Sequence, residues 1–182
     1  MTPAPPHPIR RRLAVIALFF AGLAGLAGLE VIIDRLLRGL GAGCTFDLWG
    51  LHPVIGAGQA LAGLGLVIWS VWVQYSQGRG TPAPLVATRQ LVTTGPYAWC
   101  RNPMTLGALI FYLGLGFGLG SGLVIALTGI IFTGLLRYIA VHETRELAQR
   151  FGEDYRAYCR RTPFVIPRCR LDPPSHIDED AG

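Results

Sequence analysis

Leu91-Val-Thr-Thr-Gly-Pro-Tyr-Ala-Trp-Cys-Arg-Asn-Pro103 is a polar, turn-rich stretch set between two greasy ones. Gly95-Pro96 marks a turn, because glycine relaxes the backbone and proline fixes φ. Pro103 suits the first turn of a helix, where its missing N–H costs nothing. Tyr97, Trp99 and Arg101 are side chains that settle where hydrocarbon meets water. A plain connecting loop needs none of this.

Working outward, the segments on either side are lipid-like. The chain has 182 residues, 51% hydrophobic and only 15% charged, with mean hydropathy +0.42. Residues 13–33 carry one charge, Glu30; residues 53–73 and 103–136 carry none. A helix needs about 20 apolar residues to cross a bilayer, and the last run is long enough for two short or tilted crossings. The expected fold is therefore all-α and integral to the membrane, with about four transmembrane helices and a cytoplasmic C-terminal amphipathic helix. All 16 basic residues are arginine. They cluster at segment ends, as in membrane proteins, and not on one soluble face as nucleic-acid binding requires. Cys44, Cys100, Cys159 and Cys169 show no CxxC and no zinc spacing, so no metal is expected. The last three fall on the expected cytoplasmic side, where disulfides are disfavoured.

Residues 1–12 read as a cytoplasmic tail ending in Arg10-Arg11-Arg12, and 13–75 as two transmembrane helices. The first apolar run is too long, and too poor in cleavage signals, for a signal peptide. Gly22, Gly25 and Gly28 suit close helix packing better than a nucleotide loop. Glu30, Asp34 and Arg38 share one helix face; an interfacial ion-pair ladder is favoured over a functional acid. The loop 39–52 carries Cys44, Asp47, Trp49 and His52 at no defensible metal spacing. Residues 76–168 form the remaining core, with Thr81-Pro-Ala-Pro84 as a stiff link. Gly114-Leu-Gly-Phe-Gly-Leu-Gly120 reads as a packing surface and turn, and Ser121-Gly122 as a tight hairpin. Leu147, Phe151, Tyr155 and Tyr158 share one face of a surface helix that Gly152 interrupts. Residues 169–182 read as a disordered acidic tail. The positive-inside rule puts both termini and the 76–102 loop in the cytoplasm of a bacterial inner-membrane protein.

Two polar elements thus meet at one face, 88–103 and 137–161. They offer Tyr97, Arg101 and Asn102 from one side, and Arg137, His142, Glu143, Arg145 and Glu146 from the other. There is no Ser/His/Asp set, no HExxH and no phosphate loop. Such side chains hold a charged, polar cofactor at the membrane surface and supply no nucleophile.

The 91–103 stretch resembles the "LVTxGxYxxxRHP" block of the isoprenylcysteine carboxyl methyltransferase family, in the phospholipid-methyltransferase-like superfamily. His142-Glu-Thr-Arg-Glu-Leu-Ala-Gln-Arg-Phe-Gly-Glu-Asp-Tyr-Arg-Ala-Tyr158 is similar to its "EExxLxxxFGxxYxxY" block, and Arg161-Thr-Pro163-Phe-Val-Ile-Pro167 to its closing tail. The resemblance implies transfer of a methyl group from S-adenosylmethionine to a lipophilic, membrane-embedded small-molecule acceptor, with membrane lipids as further partners. It implies cofactor contacts from Gln90, Leu91, Val92, Tyr97, Asn102, Pro103 and Glu143, with Arg137 and Glu143 at the reacting groups. The transfer is an in-line displacement that needs alignment more than acid–base help. Three positions depart from the pattern: Asn102 replaces the usual His, Thr144 the second Glu, and Ile139 an arginine expected to face a carboxylate acceptor. Two alternatives remain, a sterol-reductase-like enzyme with a nicotinamide cofactor and a non-catalytic membrane partner.

Overall fold

In the computed structural model residues 8–77 and 90–167 are described, except for the side chains of 8–12 and of Glu143. The first seven residues of the N-terminal tail, the Thr81–Pro84 link and the acidic tail lie outside the described residues. The described residues are helical, with one isolated bridge between Thr45 and Ser121. They form α1 (Pro8–Gly39), α2 (His52–Gln77), the short α3 (Pro96–Trp99), α4 (Pro103–Gly118), α5 (Gly122–Tyr138), a π-helical turn (Ile139–Glu143) and α6 (Thr144–Arg161).

Three of these helices, α1, α2 and α5 with its continuation to His142, are long and apolar enough to cross a membrane. The fourth expected crossing, α4, has only 16 residues, about 24 Å of helix against a hydrocarbon core of about 30 Å. It lies antiparallel along α2 and makes a short span. Helix starts follow local chemistry. Pro103 opens α4 at a position that needs no N–H, and the Ser121 hydroxyl caps α5 by accepting from the Val124 N–H at 3.2 Å. Gly120, at φ 58, makes the turn between them.

Lipid tails are as apolar as leucine, so helices in a membrane associate by close packing and hydrogen bonds. The α2–α4 seam uses close packing. A Cβ on Gly63 would stand 2.4 Å from the Phe111 nitrogen and 2.6 Å from the Gly107 oxygen; one on Gly56 would stand 2.2 Å from the Gly118 nitrogen. Gly114 packs on Ala60 and Gly56 in the same way. The glycine run 114–120 is thus a packing surface and turn, as its sequence indicates. Gly22, Gly25 and Gly28 differ: a Cβ on any of them would meet nothing within 4 Å. The packing glycines belong to α2 and α4, and α1 is held by other means.

Those means are polar. The Asp34 carboxylate accepts from the Ser121 hydroxyl at 2.5 Å and pairs with Arg38 at 2.7 Å. Arg38 also donates to the Leu119 carbonyl at 2.8 Å. The ladder expected along Glu30, Asp34 and Arg38 is an ion pair only at its last two rungs; Glu30 is buried and accepts from the Thr128 hydroxyl at 3.3 Å. Deeper still, the Tyr112 hydroxyl donates to the Leu23 carbonyl at 2.7 Å.

Candidate cofactor and acceptor site

The 91–103 stretch sits where α2 ends and α4 begins. Trp99 is exposed and meets Trp69 edge-on, ring centroids 5.0 Å apart. Tyr97 and Arg101, expected with it at the lipid–water boundary, turn inward and line a cavity. The cause is α6 and the irregular tail after it, which close over the stretch. The Tyr158 hydroxyl donates to the Tyr97 carbonyl at 2.7 Å, and Tyr97 donates to the Gln74 amide oxygen at 2.9 Å. The Arg101 N–H donates to the Pro163 carbonyl at 2.9 Å, and the Asn102 amide to the Phe164 carbonyl at 3.0 Å. The Arg101 guanidinium stacks 5.3 Å from the Phe164 ring centroid and reaches the Cys159 sulfur, yet its Nε is buried without a hydrogen-bond partner.

Two adjoining cavities result. The smaller, about 100 Å³, is lined by Leu91, Val92, Tyr97, Arg101, Tyr155 and Tyr158 among others. Burial pushes the phenols of Tyr155 and Tyr158 above their ordinary range, as it does the Cys100 thiol behind them. Among the described residues this wall is uncharged at neutral pH, apart from one guanidinium. The larger cavity, about 610 Å³, runs down between α1, α4 and α5, and Gln74, Tyr97, Arg101, Asn102, Ile139 and Leu147 line both. Its upper rim carries His142, Glu146 and Arg150, while its body is apolar.

The expected site residues divide accordingly. Leu91, Val92, Tyr97 and Asn102 line the small cavity, and Pro103 lines the large one. Gln90 is exposed beside them and lines neither. Arg137 is exposed on α5 and likewise lines neither; the arginine common to both cavities is Arg101, with Arg150 on the rim of the larger. The helical phase explains this, because Ile139 takes the inward position near the end of α5 and Arg137, two residues earlier, points elsewhere. Glu143 ends the π-helical turn between His142, which lines the large cavity, and Thr144, which lines the small one. Asn102 spends its amide N–H on Phe164, so its donor holds the tail in place. Sequence reasoning passed over Gln74, although an amide near the end of an apolar span is a functional signal.

The sequence model of the phospholipid methyltransferase family matches residues 51–154, more than half of the chain. The chain belongs to the phospholipid methyltransferase family. Among its relatives, the cobalt-zinc-cadmium resistance protein CzcN of Cupriavidus metallidurans is 40% identical over 81 residues, 44% of this chain and 37% of that protein. Two Mus musculus proteins share a similar stretch. A protein-S-isoprenylcysteine O-methyltransferase is 37% identical over 83 residues, 44% of this chain and 28% of that protein. A Delta(14)-sterol reductase is 31% identical over 86 residues, 46% of this chain and 21% of that protein. In each case this chain spans well under half of its relative's length. The fold is similar to the solved structure of the eukaryotic intramembrane Ras methyltransferase, isoprenylcysteine carboxyl methyltransferase. The TM-score is 0.58 at 21% identity, covering 81% of this chain and 52% of that one. A membrane methyltransferase family and an all-helical membrane fold are thereby shown, and the reductase alternative is not favoured.

Proposed function

We propose that the protein transfers a methyl group from S-adenosylmethionine to a lipophilic acceptor, with the arginine-rich end of the bundle in the cytoplasm. The observation that carries this reading is the pair of adjoining cavities, one polar and one apolar, sharing Tyr97, Arg101 and Asn102. The donor set fits the cofactor. The buried, unpartnered Nε of Arg101 suits its carboxylate, and Leu91, Val92 and Leu147 offer apolar walls for the adenine. Glu143, by resemblance to the family, accepts from the ammonium or the ribose hydroxyls. When bound, S-adenosylmethionine supplies an electrophilic methyl on a sulfonium.

The protein's part is to orient and to exclude water. Tyr97, fixed by Gln74, and Arg101, fixed by Phe164, hold the polar end of the pocket. Tyr155 and Tyr158 on α6 cover it, and burial keeps their phenols in the neutral, weakly nucleophilic form. The name of the Cupriavidus relative concerns metal resistance, but among the described residues no three His, Cys, Asp or Glu side chains converge on one point.

The test is calorimetric titration of detergent-purified protein with S-adenosylhomocysteine, beside Arg101→Ala, Glu143→Ala and a nicotinamide dinucleotide control. Saturable binding weakened by both variants is the expected outcome. No binding to folded protein overturns the assignment, and binding of the nicotinamide alone turns it toward a reductase.

A further inference from the structure

The large cavity ends against a floor on its α4 and α5 sides. Its residues near the arginine-rich end stand open, Leu18 66%, Leu135 40% and Tyr138 61% exposed. Those of α4 and α5 at the opposite end are closed, Phe132 4%, Ala108 7% and Tyr112 1% exposed, while Leu23 and Leu26 of α1 are half-buried there. An apolar molecule therefore enters through the upper gap between α1 and α5 and meets a floor. The floor is Tyr112, whose ring rests against Phe132 with centroids 5.7 Å apart and whose hydroxyl donates across to the Leu23 carbonyl of α1 at 2.7 Å. Below it the helices are joined by polar groups, first Glu30 with Thr128 and then Asp34 with Ser121, and the Glu30 Oε2 is buried without a partner. A tail pushed past Tyr112 would break the Leu23 bond and lie against a carboxylate, and both changes are unfavourable.

We infer that Tyr112 sets the length of the acceptor's buried apolar tail, and that the acceptor is an amphiphile whose buried tail is short. The identification of the occupant as acceptor rests on the methyl-transfer reading; the ruler itself does not. The lining spans nine residue steps along α4 (Pro103 to Tyr112), eight along α1 (Leu18 to Leu26) and six along α5 (Phe132 to Tyr138). At about 1.5 Å per residue this gives a depth of about 9 to 14 Å. With C–C bonds of about 1.5 Å, an all-trans chain advances about 1.25 Å per carbon, so the pocket takes roughly seven to eleven carbons. The polar head then lies at the rim, among Arg101, His142, Glu146 and Arg150.

The experiment uses the full chain in lipid nanodiscs, titrated with n-alkylamines and n-alkanoates from hexyl to octadecyl by competition against a radiolabelled decyl member. Affinities are corrected for partition into the lipid, so that added methylenes gain nothing in bulk. The expected result is constant affinity up to about decyl, then a fall of about tenfold by hexadecyl, the effect of breaking one buried hydrogen bond. Tyr112→Ala moves the fall to longer tails by roughly four carbons, the length of the lost ring, and Ala108→Leu, one turn above, moves it to shorter ones. Absence of a length limit in the native protein overturns the inference. So does a limit unmoved in whichever of the two variants folds. S-adenosylhomocysteine is titrated in the same preparation: if it binds while no length limit exists, the ruler alone falls. If it fails to bind while the limit moves with Tyr112, the methyl-transfer reading alone falls.

Discussion

The two seams of the bundle, α2 against α4 and α1 against α4 and α5, solve one problem in opposite ways. In lipid no hydrophobic force pulls helices together. Glycines let α2 and α4 approach until their backbones touch, leaving no space. Side-chain hydrogen bonds hold α1 at a greater distance, through Tyr112, Thr128 and Ser121, and the space left above them is the large cavity. The filled seam is scaffold and the spaced seam is where a ligand fits. A membrane protein of this size obtains both from the choice between small and hydrogen-bonding residues.

Four measurements would break or sharpen this contrast. The largest effect is expected for Gly63→Leu, whose side chain would start 2.4 Å from the Phe111 backbone. Overpacking against backbone that cannot yield should cost about 3 kcal/mol or more, read as loss of folded protein in a detergent unfolding titration. Gly65→Leu, which meets nothing within 4 Å, should change stability by less than about 0.5 kcal/mol. Equal effects of the two would end the claim that the seam is tight.

Next comes Arg101→Ala. If its guanidinium pairs with the carboxylate of the cofactor, affinity for S-adenosylhomocysteine should fall by about 1.5–3 kcal/mol, with Arg101→Lys in between. Unchanged affinity would move the charged end of the ligand elsewhere. On the spaced seam, Asp34→Ala removes the acceptor for Ser121 and the partner of Arg38. It should lower stability by about 1–2 kcal/mol, while Gly25→Ala on the unpacked face of α1 leaves stability within about 0.5 kcal/mol.

The smallest effect belongs to the outer face of α6. The hydrogen bond and charge of Arg160, aided by Arg156, hold the Glu153 carboxyl below its ordinary 4.5. The support this gives α6 is therefore present above pH 4.5 and lost as pH falls through the lower folded value. All three side chains are exposed, so only a slight loss of helicity on acidification is expected, measured by circular dichroism. A large loss would mean that α6 depends on this surface network more than on Tyr155 and Tyr158.

Much of this was legible in one dimension. Apolar runs of bilayer length are unambiguous, and so are Gly152 as an interruption of α6 and the glycine run 114–120 as a packing surface. At φ 55, Gly152 breaks the helix where the sequence expected a break. Identical composition was not enough elsewhere. Gly22, Gly25 and Gly28 look like the glycines of α2 but face open space, because whether a small residue packs depends on which neighbour arrives. Arg137 and Arg101 are both arginines near segment ends, yet only Arg101 reaches the cavity. That outcome depends on the phase of α5 and on the tail that turns the 91–103 stretch inward.

By itself the sequence determined the environment and the class: a helical membrane protein whose 91–103 and 142–158 blocks resemble those of a methyltransferase family. These follow from length, hydropathy and local turn chemistry, which act over neighbouring residues. Only the tertiary structure decided which arginine lines the site, that Asn102 holds the tail with its amide, and that Tyr112 closes the apolar cavity. Each is a contact between residues 58 to 89 positions apart. No local pattern encodes such contacts, because they exist only once two helices have settled their distance and phase.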